Sequence, residues 1–279
     1  MPYWNYPTNG IKQLNMETIA IYCVNYKSYD SLHQYLASID KAIEATQSPI
    51  ELKVIVADNT SPAQPVRYTP RHFTLNILIT GGNKGYFGAV RQAMQQVSPA
   101  DFDFAIISNV DVLLSTDFFD SLLNKQVPAD TGWIAPQIYS HLEQRDRNPK
   151  ILRRYAKRKL EVLKIKFRFP SLDWVYNHTL YKSKKLVSHE AGEIYAGHGS
   201  FIILTQRFFK AGGTIDYPVF LFCEEIYLGE QCQQLRLKVV YDPTIRVTDA
   251  EHASTGTFRR SSYCRYNYDA LSYILSTYY

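Results

Sequence analysis

The sequence predicts an α/β protein whose central sheet is mostly parallel, with helices on both faces. Two patterns predict it. Apolar, β-rich runs alternate with helix-period segments through residues 18–139, the order that builds parallel sheets through helical crossovers. The runs also end on polar residues, Asn25, Asp58, Asn83, Asn109 and Asp111, and open α/β sheets hold ligands beyond the carboxyl ends of their strands. The 279 residues are 46% hydrophobic. That fills a sizeable core and excludes disorder, collagen and coiled coil as descriptions of the whole chain.

The elements follow in order. TIAIYCVNY (18–26) is a continuous apolar run suited to a buried strand. SYDSLHQYLASIDKAIEA (28–45) has helical spacing, with Ser28 or Asp30 as cap and Leu32, Tyr35, Leu36, Ile39 and Ile43 on one face. ELKVIVADN (51–59) is a second strand, and LNILITGGN (75–83) a third that ends in glycines. GYFGAVRQAMQQV (85–97) reads as a helix leaving a Gly-rich turn, and FDFAIISNVDVLL (102–114) as one strand running into a polar turn. TDFFDSLLNKQ (116–126) is a helix capped by Ser115 or Thr116, and TGWIAPQIY (131–139) another strand.

Residues 140–190 change character: they carry much charge and no strand pattern. Strand-like sequence returns at 193–205 with a Gly kink, a short helix at 207–213 closes on glycines, and 219–236 starts apolar and becomes helical. Residues 237–252 read as one or two strands, and 261–279 as a Tyr-rich helix. No repeat or low-complexity linker divides the chain. The expectation is one domain over 1–279: a ligand-binding half at 18–135, a basic insert at 140–190, a second half at 191–255 and a tail at 256–279.

The net charge is +5, which permits an anionic ligand or membrane surface without demanding nucleic acid. Cys23, Cys223, Cys232 and Cys264 form no CxxC pair, so a zinc knuckle is not expected and the thiols read as reduced. No apolar stretch approaches the ~20 residues of a membrane span, and no signal-peptide core is visible at the start. The expected location is the cytoplasm, with the inner membrane face as a second possibility. There are 22 tyrosines, residues that both stack and hydrogen-bond, although packing accounts for most such rings.

Several residues carry chemistry. Asp58, ahead of Asn59, Thr60 and Ser61, can accept a hydrogen bond from a base N–H or a ribose hydroxyl; the alternative is an Asx turn. Asn83, Gly85 and Gly88 let backbone approach a ligand and open a helix whose N–H groups suit phosphate, with Arg91 one turn on. Asn109-Val110-Asp111 is the metal candidate, because Mg²⁺ or Mn²⁺ wants carboxylate oxygen and shares it with substrate phosphates. Glu224-Glu225 follows a VFLFC run, where enclosure by Phe220, Phe222 and Tyr227 suits a general base of raised pKa; the alternative is an acidic helix start. His252 is a candidate metal ligand.

Taken in order, these segments resemble the family 2 glycosyltransferases of the GT-A fold. VADNTS (56–61) looks like the family's nucleotide-binding turn, GGNKGYFGAVRQAM (81–94) like its NxG segment, and ISNVDVLL (107–114) stands where it carries a DxD-like turn. GHGSFIIL (197–204), FLFCEEIYL (220–228), YDPTIRV (241–247) and EHAST (251–255) follow. The closest look is to single-transfer rhamnosyl- and galactofuranosyl-type enzymes, over about residues 18–255. The resemblance implies a nucleotide-sugar donor held by Asn25, Asp58, Asn83, Gly85, Arg91, Asn109 and Asp111. It also implies a divalent metal on Asp111 and His252, a base at Glu225 with Glu224 in reserve, and an acceptor side at Gly197 and His198. Asn109 in place of a first Asp, and Glu225 in place of the family's Asp, are departures. They keep open a non-catalytic nucleotide-sugar-binding or membrane-adaptor protein of the same fold. The QxxRW motif of processive members is absent, so one sugar per encounter is implied, to a glycan or lipid-linked saccharide in surface polysaccharide synthesis. A sugar nucleotidyltransferase is disfavoured because 18–30 has no glycine.

The insert holds a further pattern. KILRRYAKRKLEVLKIKFRF (150–169) has nine Lys or Arg and one Glu, with Leu152, Tyr155, Ala156, Leu160, Leu163 and Phe167 near one helical face. That is a basic amphipathic helix, suited to an anionic membrane or to an ordinary packed and solvated position. Nucleic acid is not expected, since no recognised module accompanies it.

Overall fold

The computed structural model describes residues 16–125, 127–171, 189–250 and 259–279. A ten-stranded sheet organises them. It is built by β1 (Glu17–Asn25), β2 (Ile50–Asp58), β3 (Thr74–Ile79), β4 (Phe104–Asn109), β5 (Val112–Leu114), β6 (Thr131–Ser140), β7 (Arg145–Asp146), β8 (Gly192–Ile194), β9 (Phe201–Thr205) and β10 (Lys238–Asp249). The order is β3-β2-β1-β4-β9-β6-β10-β5, with β7 on β6 and β8 on β10. β3, β2, β1 and β4 are parallel, as are β6 and β10, while β9 runs antiparallel between β4 and β6. The carboxyl ends of β1, β2, β4, β6 and β10 therefore share one edge with the amino end of β9.

The helices are α1 (Tyr29–Ala45), α2 (Tyr86–Gln96), α3 (Phe118–Leu123), α4 (Lys157–Arg168), α5 (Gln206–Lys210), α6 (Glu224–Gln234) and α7 (Arg260–Tyr278). Strand alternation feeds two cores. Ile19, Ile21 and Cys23 of β1 face α1 and α3, and Ala20 and Tyr22 face α2, α6 and α7. Both faces are buried, so β1 reads as a continuous apolar run. Each fully buried Ile or Leu contributes about 1.5–3 kcal/mol, and α1 supplies Leu32, Leu36 and Ile39 at helical spacing.

The structure corrects several expectations. The 102–114 run is two strands, because Val110-Asp111 turns the chain so that β5 pairs antiparallel with β10. The 193–205 run also divides: β8 pairs with β10, and β9 with β4 and β6. Residues 237–252 hold one strand to Asp249, irregular between Asp242 and Arg246, where Pro243 sits. The segment read as strand-free holds β7, short but paired with β6. Ser28 stands at the head of α1, yet its hydroxyl turns back to the Tyr26 carbonyl (3.2 Å) and does not cap the helix. Asp117, not Ser115 or Thr116, precedes α3.

Candidate functional site

The first side of the site is a closed hydrogen-bond frame. Asp58 is fully buried: Oδ1 accepts from Asn25 Nδ2 (3.1 Å) and Thr60 N–H (3.0 Å), and Oδ2 from the Tyr29 hydroxyl (2.7 Å). Asn59 ties this turn to the glycine loop. Its amide donates to the Gly85 carbonyl (2.9 Å), and its oxygen accepts from the Thr80 hydroxyl (2.9 Å) and Lys84 N–H (3.2 Å). Asn83 is exposed at the loop's tip and braces it by accepting from Gly85 N–H (3.0 Å). Gly85 has φ +76°, and a Cβ there would run into the Phe220 carbonyl, so only glycine lets the two segments meet.

The second side is a bent turn that opens α6. Phe222 and Cys223 both adopt positive φ, 76° and 62°, a costly conformation for side chains with a Cβ. Tyr217 holds the turn by donating to the Phe222 carbonyl (2.8 Å), and Glu224 Oε1 accepts from Phe222 N–H (3.0 Å). Glu224 is buried. Burial first, then the adjacent Glu225, holds its carboxyl above the usual range. Glu225 is half-exposed and accepts from Gly199 N–H (3.3 Å).

Residues 197–200 join the two sides. Asn109 N–H donates to the Ser200 carbonyl (2.9 Å), and the Tyr86 hydroxyl to the Gly199 carbonyl (2.9 Å). Burial first, then the charges of Glu224, Tyr35, Asp111 and Glu225, hold the Tyr86 phenol well above its usual range. His198 accepts from Ser200 N–H (3.2 Å) through Nδ1. Burial, then Lys150, Arg147 and Arg145, hold its imidazole well below the usual range.

Asp111 forms the other acidic centre with Asp249. Its N-terminal neighbour Asn109 hydrogen-bonds it, and its own carbonyl accepts from Ala250 N–H (2.8 Å). Burial, then the Asp249 carboxylate, push its pKa up to about 6. Arg147 pairs with Asp249 and pulls the other way on Asp111. Among the described residues there is no group of three His, Cys, Asp or Glu placed to hold a metal. Asp111 beside Asp249 nevertheless fits a divalent cation that takes further oxygens from a ligand, because a cation relieves the repulsion that raises Asp111.

The chain matches no protein-family profile. It is 25% identical over 258 residues to N-acetylglucosaminyl-diphospho-decaprenol L-rhamnosyltransferase of Mycobacterium tuberculosis, covering 86% of this chain and 78% of that one. It is 22% identical over 260 residues to the low-salt glycan biosynthesis hexosyltransferase Agl10 of Haloferax volcanii, covering 90% and 73%. Among solved structures, TarS 1–349 of S. aureus superposes with a TM-score of 0.50 at 11% identity, over 81% of this chain and 60% of that one. GalNAc-T7 with UDP, GalNAc and Mn²⁺ gives 0.50 at 12%, over 90% and 48%, so this chain spans about half to three-fifths of those solved chains. The fold is GT-A. The resemblance to family 2 glycosyltransferases of that fold, read from the sequence, agrees with these relatives.

Within this GT-A sheet edge, Asn25, Asp58, Asn83, Gly85, Asn109, Asp111, His198, Glu224 and Glu225 are brought to one rim by the contacts given above. Asp58 occupies its Asx turn with both carboxylate oxygens already accepting. Gly197 is a packing position, since a Cβ there would press on Ala135 and Trp133. Arg91 is exposed on α2, and its charge reaches Tyr227 in the aromatic core. Phe220, Phe222 and Tyr227, read as enclosing Glu225, each pack against another aromatic ring. Phe220 meets Tyr266 (4.9 Å between ring centres), Phe222 meets Tyr263 (5.2 Å) and Tyr227 meets Tyr217 (4.9 Å). His252 lies outside the described residues. Sequence reading missed Tyr86 as a link, Arg147 and Lys150 as flanking cations and Asp249 as the neighbour of Asp111. The only hint was a tyrosine directly after the essential Gly85.

Proposed function

We propose that the protein is an inverting glycosyltransferase, moving one hexosyl or deoxyhexosyl unit from a nucleoside-diphosphate sugar to a hydroxyl of a glycan or lipid-linked saccharide. The observation that carries this reading is the 197–200 segment: Gly199 N–H holds the half-exposed Glu225 carboxylate, and the Ser200 carbonyl accepts from Asn109 N–H at the strand end that leads to Asp111. The two relatives named above, which act in rhamnosyl and hexosyl transfer, support it.

In this reading the donor lies over the strand ends, with its nucleotide against the Asp58–Asn59 turn and the 81–85 loop. Glu225 takes the acceptor hydroxyl's proton as that oxygen attacks the anomeric carbon. The bond from that carbon to the diphosphate oxygen breaks, and its electron pair leaves with the diphosphate. Charge builds on the ring carbon as an oxocarbenium-like species. Glu225 suits the base role better than Glu224, which is buried and committed to the Phe222 amide. Gly199 N–H fixes Glu225, and Tyr86 fixes Gly199. Asp111, with His252 as a further candidate ligand, would hold Mg²⁺ or Mn²⁺, which when bound would supply charge neutralisation for the leaving diphosphate. Arg147 and Lys150 add fixed positive charge at the same rim. A polysaccharide-building role in the cytoplasm completes the reading.

The test is the melting point of the full chain against a panel of nucleoside diphosphates, each with and without Mn²⁺. A ligand of the native state raises it according to affinity. We expect a rise with one base that needs the metal. If no nucleotide raises it, the non-catalytic alternative replaces the transferase.

A further inference from the structure

Helix α4 carries two apolar stripes. Leu160, Leu163 and Phe167 face inward, with Leu160 fully buried and Phe167 edge-on to Tyr263 of α7 at 5.8 Å. Val162 and Ile165 lie on the opposite, outward side, and Phe169, the extended residue that ends the helix, follows them; the three are 60%, 58% and 52% exposed. Charge borders the outward stripe: Arg158 continues it one turn earlier, Lys159 and Lys166 lie on one side, and Arg168 with Glu161 on the other, while Lys157 and Lys164 turn toward α7. The helix is anchored in this pose. Arg154, just before it, forks onto Glu230 (2.8 and 3.0 Å) and lies over the Tyr279 ring at 3.9 Å. Beside the stripe, a groove of about 720 Å³ between α4 and α7 is lined by Lys157, Lys164, Arg168 and Tyr268. Lys164 and Arg168 sit 5.3 and 5.2 Å from the Tyr268 ring centre.

Three large apolar side chains at the centre of a solvent face cost hydration and gain nothing from a phosphate backbone, which needs only the cations. A second copy of the same face would set its cations against like cations. A bilayer interface takes both kinds of side chain: apolar ones enter the acyl boundary while lysines reach the phosphates. We infer that α4 docks the protein onto an anionic phospholipid surface through Val162, Ile165 and Phe169, with its flanking lysines and arginines on the lipid phosphates. The inference does not depend on the transferase reading and survives if no nucleotide binds.

The experiment is flotation of the full chain with phosphatidylcholine vesicles, with and without phosphatidylglycerol, at low and high salt. We expect binding to the phosphatidylglycerol vesicles alone. The exposed triple variant Val162→Ser/Ile165→Ser/Phe169→Ser should keep its melting point and lose the salt-resistant part of that binding. Lys159→Glu and Lys166→Glu should each weaken it by at least roughly fivefold at low salt. A blue-shifted fluorescence difference for Ile165→Trp on the same vesicles would support burial of the stripe. Failure of the unchanged chain to float, equal flotation of the triple variant, or a solution dimer that the triple variant dissociates would each overturn the inference.

Discussion

Asp58 and Glu224 are both buried carboxylates on one rim of the same sheet, yet their surroundings are opposite. Asp58 accepts three hydrogen bonds, from a side-chain amide, a backbone amide and a phenol. Glu224 has its bond from Phe222 N–H, a like charge next door and a backbone bent through two positive-φ residues before it. A satisfied network of the first kind fixes shape. The second kind stores electrostatic and conformational energy, on the order of 1–3 kcal/mol for each strained residue. The comparison teaches that the half around Asp58 is a rigid frame, while the half around Glu224 is held under tension.

The sharpest way to break this contrast is Glu225→Gln. It keeps the Gly199 contact and removes the base, so turnover should fall by about 10²–10⁴-fold while nucleotide binding holds; full turnover would return the base role to another group. Next is Asp58→Ala, which strands two buried donors, Asn25 Nδ2 and Thr60 N–H, and releases the part-buried Tyr29 hydroxyl; it should cost about 3 kcal/mol in urea unfolding. A loss below about 1 kcal/mol would mean the frame is not rigid.

The third test uses pH. The Asp111 pKa is raised in the folded chain to about 6, so its charged form destabilises. Stability is then fullest below the ordinary carboxylate pKa and is lost as pH rises through about 6. With a chelator present, Asp111→Asn should exceed the parent by about 2 kcal/mol at neutral pH and by little in acid. A constant difference across pH would refute the raised Asp111 pKa. The smallest expected effect is Arg91→Ala. This exposed residue should change nucleotide affinity by less than about threefold, and a larger loss would restore it to the anion site.

How much of this was legible in the sequence depends on how local each feature is. β1, β2, α1 and α2 were readable because burial on one or two faces writes a period into adjacent residues. The carboxyl-end residues followed from that alternation, so Asp58, Asn109 and Asp111 could be placed. The direction of β9 was not readable, since its partners β4 and β6 lie far away in the chain. β5 and β7 are too short to show a period. Asp249 meets Asp111 only through the β10–β5 pairing, and Arg147 follows β7, so neither assignment had a local signal. The two residues of positive φ before Glu224 are not glycines, and nothing in their type announces the bend.

The seat of Gly85 against the Phe220 carbonyl has a consequence for how such chains diverge. Backbone meets backbone there, with no side chain to absorb a change. A substitution at position 85 survives only if the 217–225 turn is rebuilt in the same lineage, and a lengthened turn survives only if the glycine loop retreats. Two distant stretches of sequence are thereby bound to a shared history, and a chimera taking one stretch from each of two diverged relatives should fold poorly even though each half is sound in its own parent.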